Sequence, residues 1–197
     1  VVAIMTKPFP CPHVKKGVGP CIYCPGGPNS EFGSVPQSYT GKEPASLRAS
    51  RNAYDSYLQV WNRLEQYVAT GHYPDKVELI IMGGTFPSYA KEYQQEFVGY
   101  ALKAMSDFGE LFLDDGKVKM KEFREFFNLP GDVHNEERVQ DVHDKIRSIK
   151  GALDFPVEKV RNETARVRCV ALCVETKPDW CFDEHINQML ELGATRV

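Results

Sequence analysis

Three cysteines at a C-x9-C-x2-C spacing, Cys11, Cys21 and Cys24, lie in the segment CPHVKKGVGPCIYCPGG from Cys11 to Gly27. Pro10, Pro12, Pro20 and Pro25 remove backbone donors and fix φ, so the segment is expected as a shaped loop, neither helix nor strand. Thiolates converging on a metal would hold such a loop. A disulfide would use two cysteines and leave the third unpaired. A zinc site would need a fourth ligand, with His13 the only nearby candidate. An iron–sulfur cluster usually takes four thiolates, and three would leave one iron open to another ligand. On spacing alone, zinc and iron–sulfur stand level.

The loop has to be positioned by regular elements, and the pattern supplies them. Val1 to Met5 is an apolar run just before it. After it, from Pro44 to Ala69, Tyr54, Tyr57, Leu58, Trp61, Leu64 and Val68 recur at three- and four-residue steps, the stripe of one amphipathic helix. Val77 to Met82 reads as a buried strand ending in Gly83-Gly84-Thr85. Ser88 is expected to cap a helix carrying Tyr93, Phe97, Tyr100, Ala101 and Ala104. Val167 to Val174 returns to a buried strand, with Cys169 and Cys173 on one face as small core residues. Asp183 opens a last helix that Gly193 stops. Strand–helix alternation of this kind predicts an α/β fold with parallel strands. Between them, residues 106–166 break the rhythm with helical patterns at Met120, Phe123 and Phe127 and at Val139, Val142, Ile146 and Ile149; Asp114-Asp115-Gly116 suits a turn. The expected division is therefore 1–105, a helical insertion 106–166, and a further strand–helix unit 167–197.

A strand, a cysteine loop, a helix and a strand ending in Gly-Gly resemble the start of a radical S-adenosylmethionine (SAM) enzyme. The blocks CPH…CIYCPGGP, QSYTGKEP at Gln37–Pro44, MGGTFPS at Met82–Ser88 and ETKPDWC at Glu175–Cys181 resemble the catalytic subunit family of Elongator, which modifies the wobble uridine of transfer RNA. The long C-x9-C arm departs from the usual C-x3-C-x2-C of radical SAM enzymes. The resemblance implies a partial (β/α) barrel, roughly half present, in which Cys11, Cys21 and Cys24 bind a 4Fe–4S cluster. It implies further that Gly83, Gly84, Thr85 and Glu175 lie at the SAM site. In that family a 5′-deoxyadenosyl radical leads, with acetyl-CoA as co-substrate, to carboxymethylation at carbon 5 of uridine 34. The acetyl-CoA site belongs to an acetyltransferase-like domain that this sequence lacks, so the chain is expected as a fragment. Other Elongator subunits or a second copy are the implied partners. A radical SAM enzyme for a small molecule or peptide, and a zinc-stabilised interaction module, are the rival readings.

Composition narrows the classes. Hydrophobic residues make up 42% and charged residues 26%, ordinary for a globular domain. No apolar run approaches the ~20 residues of a membrane span, and no secretory leader is seen. Six cysteines without such a leader suit a reducing, cytoplasmic setting. The net charge of −3 argues against a broadly basic RNA-binding surface. The transfer RNA partner therefore requires a local one, and Lys7, Lys15, Lys16, Arg48, Arg51 and Lys177 are the residues expected around the mouth of the site.

Overall fold

In the computed structural model, which describes residues 1–132 and 134–197, three parallel strands form one sheet: β1 (Val2–Met5), β2 (Lys76–Met82) and β5 (Arg168–Val174), in the order β1-β2-β5. β2 lies in the middle, Val2 pairing with Leu79 on one side and Ile81 with Val174 on the other. A parallel bridge from Cys173 to Arg196 places the last residues beside β5, where a fourth strand would run. The result is an open parallel α/β sheet.

Alternate residues of these strands face a single core. Val2, Ile4, Val77, Leu79, Ile81, Leu172 and Val174 are buried on one face against helices. The first helical turn, α1 (Pro12–Lys15), and α2 (Pro44–Arg51) follow β1; then come α3 (Ser56–Ala69) and, after β2, α4 (Lys91–Phe112). α3 and α4 carry the core stripe, with Trp61 packed on Phe108, Phe112 and Phe126. α2 instead lies on the opposite face, where Ala45 and Ala49 meet Met5.

The single helix expected over Pro44–Ala69 is two helices. Ala53 and Tyr54 take left-handed φ of +51° and +56°, and the Asp55 carboxylate accepts from the Leu58 amide to start α3 afresh. The break lets α2 and α3 pack on different faces of the sheet. Ser88 does not cap a helix either: it closes a 3-10 turn, Phe86–Ser88, with its hydroxyl donating to the Thr85 carbonyl, and α4 begins at Lys91.

α4 runs on to Phe112, so the division expected at 105/106 falls inside a continuous helix. A two-stranded hairpin follows, β3 (Leu113–Asp114) and β4 (Lys117–Val118), turning at Asp115-Gly116 with positive φ at both, as the Asp-Asp-Gly sequence suggested. Next come α5 (Met120–Phe126), α6 (Glu136–Lys150) and α7 (Phe155–Glu163), before β5 and α8 (Asp183–Leu192). Phe123, Phe127, Val142 and Ile146 join the same core as the strands.

β1 is an edge strand, and its free edge is closed by side chains. The buried Gln59 amide accepts from the Met5 N–H (2.8 Å) and donates to the Met5 carbonyl (3.0 Å), as a neighbouring strand would. Arg48 donates to the Ala3 carbonyl at 3.0 Å, and the Tyr67 hydroxyl to the Val1 carbonyl at 2.6 Å. No helix among the described residues is long and apolar enough to cross a membrane.

Candidate functional site

Because the three strands are parallel, their C-terminal ends open on one edge of the sheet, where βα loops gather. A cavity of about 420 Å³ lies there, within the roughly 300–1,000 Å³ of small-molecule sites. Cys11, Cys21 and Cys24 all line it, together with Gln37, Tyr39, Gly84, Thr85 and the run from Cys173 to Lys177.

The cysteine loop is less irregular than its prolines suggest. Pro12 occupies the first position of the helical turn α1, where a missing N–H costs nothing, and the Lys15 amide donates to the Cys11 carbonyl at 3.0 Å. Cys11 is thereby buried at the root of the loop. A tight turn, Cys24 amide to Cys21 carbonyl at 2.8 Å, brings the short arm together. Between these points the Lys16, Gly17 and Val18 amides bond back to Pro12, Val14 and His13, and Val18, Ile22 and Tyr23 are exposed.

Gln37 ties the short arm to the sheet. Its amide nitrogen lies 2.9 Å from both Cys24 Sγ and the Gly26 carbonyl, and its own carbonyl accepts from the Gly84 amide at 3.1 Å. The two glycines after Cys24 allow this approach. A Cβ on Gly27 would stand 2.6 Å from the Gln37 amide oxygen, and one on Gly26 would meet the Tyr39 carbonyl. The Gln37–Tyr39 segment is itself anchored by Glu43, whose carboxylate accepts from the Thr40 amide and hydroxyl, both at 2.9 Å, and from the Ser46 hydroxyl at 2.9 Å. Burial alone would raise the Glu43 pKa, but these bonds outweigh it and hold the group at about 2.

Across the cavity, the Tyr39 hydroxyl donates to Glu175 at 2.5 Å. Burial first, and the carboxylate second, push the Tyr39 pKa up. Glu175 therefore stands at the end of β5 with a partner, which a carboxylate in this half-buried position requires. The neighbouring Thr176 hydroxyl is buried with no partner among the described residues, though it lies in the cavity wall. On the β2 side, the Gly83 carbonyl is spent on Thr6 (2.9 Å) and Tyr89 (2.6 Å), and Gly84 turns with φ +72°. Of the expected Gly83-Gly84-Thr85 set, Gly84 and Thr85 reach the cavity and Gly83 buttresses it.

Lys177 closes the third side. Its ammonium lies 3.3 Å from Cys21 Sγ, 2.7 Å from His13 Nε2 and 3.5 Å from Asp179. Asp179 also lies 2.7 Å from His13 Nε2. That nitrogen serves one of them at a time, donating to Asp179 when protonated and accepting from Lys177 when not. The Cys21 thiol is held below its ordinary pKa by the Tyr23 hydroxyl first and by Lys177 second. His13 itself borders a separate surface cavity with Lys16, Trp180 and His185, not the cysteine cavity.

The donor set suits a thiolate-ligated group. Cys11, Cys21 and Cys24 line one cavity, but no three Cys, His, Asp or Glu side chains among the described residues converge as a single ion would need. The unpartnered Thr176 hydroxyl offers a polar partner to an organic ligand in this cavity, which Gly84 and Thr85 line beside it. Of the remaining cysteines, Cys173 departs from its expected core role and lines this cavity, while Cys169, its pKa pushed up to about 11 by burial, stays packed against the core.

The six basic residues expected at the mouth are not brought together. Lys15 and Lys16 are exposed on the cysteine loop, and Lys7 lies 5.2 Å from the rings of Phe9 and Tyr93. Lys177 is committed inside the site. Arg48 is buried against β1, its guanidinium serving the strand edge, so it has no surface to offer RNA. Arg51 borders a different cavity, with Asn52 and the α6 residues Arg138 and His143. Helix α2 carries both arginines away from the strand ends. Gln37, Tyr39, Thr176 and Cys173 were the site residues that residue type alone did not reveal.

No protein-family model matches the chain. Among curated proteins, the tRNA uridine(34) acetyltransferase of Methanocaldococcus infernus is 45% identical over 197 residues, covering all of this chain and 28% of that protein. Elongator complex protein 3 of Schizosaccharomyces pombe is 37% identical over the same span, again 28% of its length. Among solved structures, the archaeal M. infernus Elp3 with an N-terminal deletion superposes with a TM-score of 0.52 at 31% identity, over 100% of this chain and 27% of that one. The chain thus spans little more than a quarter of the relatives it matches.

Proposed function

We infer, from the premise that this chain belongs to the Elongator complex protein 3 family, that it forms the cluster- and SAM-binding part of an enzyme modifying the wobble uridine of transfer RNA. The observation that carries this reading is the single cavity at the strand ends, where Cys11, Cys21 and Cys24 meet Gly84, Thr85 and Glu175. Sequence spacing brought the cysteines to one loop; only the fold brings the loop to the ends of β2 and β5.

Cys11, Cys21 and Cys24 would hold three irons of a 4Fe–4S cluster, and the side bounded by Gly84, Thr85, Glu175 and Thr176 would receive SAM. When bound, the pair would supply a 5′-deoxyadenosyl radical by one-electron cleavage of a SAM carbon–sulfur bond. The chain's own part is placement. Gln37 fixes the Cys24 arm by its amide, and Tyr39 fixes Glu175 with the proton on the phenol oxygen. The open parallel sheet with the Arg196 bridge is compatible with a partial barrel, and the expected helical insertion, 106–166, would lie in the β2–β5 crossover, its first residues belonging to α4. Acetyl-CoA-dependent carboxymethylation at carbon 5 of uridine 34, with Elongator subunits as partners, belongs to the whole protein.

Alanine replacement separates the ligands from their neighbours. After anaerobic reconstitution, Cys11→Ala, Cys21→Ala and Cys24→Ala should each lose most bound iron, while Cys169→Ala, Cys181→Ala and Cys173→Ala, although Cys173 lines the cavity, keep it. Full iron retention in Cys21→Ala would refute the assignment.

A further inference from the structure

We propose that Lys177 is a positioning residue for Cys21 whose ammonium sets the reduction potential of the cluster held there. The inference rests on the cluster reading given above. Cys21 lies beyond the backbone bonds of the α1 turn, which end with the Val18 amide on the His13 carbonyl; its carbonyl accepts from the Cys24 amide, and the exposed Ile22 and Tyr23 follow it. Among the described residues, the hydrogen bond that joins its sulfur to the sheet side of the fold is the one from the Lys177 ammonium, at 3.3 Å.

The far side of that contact is bonded into the sheet and a turn. β5 ends in register with β2, the Glu175 amide donating to the Ile81 carbonyl at 3.0 Å, and the Trp180 amide closes a turn on the Lys177 carbonyl at 2.9 Å. Lys177 enters this turn just before Pro178, which fixes the backbone. His13 and Asp179 then hold the amine itself, so its three donors have three destinations: a ring nitrogen, a carboxylate and a thiol sulfur. The ammonium is aimed at the sulfur from two elements at once, β5 and the helical turn α1. This leaves Lys177 little freedom to reach a phosphate in solvent, which is the role its charge alone suggested.

A cation fixed beside a ligating sulfur acts on the cluster's electron affinity. A cubane with three thiolates is anionic, and reduction adds one more negative charge, so a nearby positive charge stabilises the reduced form more than the oxidised one. Hydrogen bonds to cluster sulfurs act in the same direction. Removing Lys177 should therefore lower the midpoint potential without removing a ligand.

The test is an anaerobic redox titration of the reconstituted full-length protein carrying this sequence, read by the cluster's absorption and its paramagnetic signal. Lys177→Met keeps the length of the side chain and loses the charge. Its reduction equilibrium should move at least tenfold toward the oxidised form, 59 mV lower for a one-electron couple. Lys177→Arg should recover most of that shift, and iron content should match the wild type in both. Should the methionine variant fail to keep its cluster, Lys177→Gln, which retains a donor but no charge, gives the same comparison. A midpoint equal to the wild type in the neutral variants would overturn the inference and leave the cluster reading intact. A wild-type protein that takes up no cubane would instead remove the reading on which it stands.

Discussion

Gly84 carries two constraints that a single substitution can pull apart. Its φ of +72° is left-handed, and a Cβ built there would stand 2.6 Å from the Tyr89 hydroxyl. The first constraint costs alanine about 1–2 kcal/mol at any such position. The second displaces a hydroxyl that donates to the Gly83 carbonyl at 2.6 Å, and losing that bond adds about 0.5–1.5 kcal/mol. Gly84→Ala should therefore destabilise the end of β2 by about 1.5–3.5 kcal/mol in total. Tyr89→Phe alone removes the hydroxyl and should cost only the hydrogen bond. In the Tyr89→Phe background, Gly84→Ala should then cost the backbone term alone, a coupling of about 1 kcal/mol between the two sites. Native-state hydrogen exchange at the β2 amides reads the opening of this sheet without requiring the whole protein to unfold in one step. Equal costs for Gly84→Ala in both backgrounds would refute the contact. A cost near zero would refute the strained turn as well.

Two further tests address the walls of the site and its approach. Glu43 has its pKa lowered from 4.5 to about 2 by bonds to Thr40 and Ser46, so its contribution is present above pH 4.5 and is lost as pH falls from there toward 2. Glu43→Gln should lower the melting temperature at neutral pH and lose that effect near pH 2; a pH-independent difference would mean that shape, not charge, holds the Gln37–Tyr39 segment. Lys15 and Lys16 are the exposed basic pair on the cysteine loop, so Lys15→Glu with Lys16→Glu should weaken transfer RNA binding. The pair should also flatten the logarithmic salt slope by about 1.5–2, if each contacts a phosphate. An unchanged slope would place the RNA path elsewhere.

Much of this was written in residue patterns. The three strands followed from short apolar runs, although in β2 only the alternate residues Val77, Leu79 and Ile81 are buried and Val170 in β5 is exposed. The cysteine spacing marked the loop as a candidate metal site but left zinc and iron–sulfur level. What periodicity could not show was where an element turns. The stripe Tyr54, Tyr57, Leu58, Trp61 continues smoothly through Ala53 and Tyr54, although the backbone there is left-handed and two helices meet. Arg48 misled for a related reason: a cation on a helix reads as surface charge until an unpaired strand carbonyl, that of Ala3, turns out to face it. Gln37 and Tyr39 carry no spacing signal. They matter because the chain folds back from the cysteine loop across the ends of β2 and β5, a long-range fact that local sequence does not encode. Cys173 alternates with buried Leu172 and Val174, and only the openness of the sheet on its own side shows it facing the cavity.

The most direct test of the central claim is an absorption and paramagnetic resonance spectrum of the anaerobically reconstituted protein, with iron and sulfide analysis, recorded with and without SAM. The arrangement of Cys11, Cys21 and Cys24 around a cavity that also holds Gly84, Thr85 and Glu175 predicts about four irons and four sulfides per chain. It also predicts a reduced-state signal that changes when SAM is added, because the loop supplies three thiolates, Cys173 stays unligated, and one iron is left for the ligand. Stoichiometric zinc with no sulfide, or a cubane whose signal is indifferent to SAM, would contradict it.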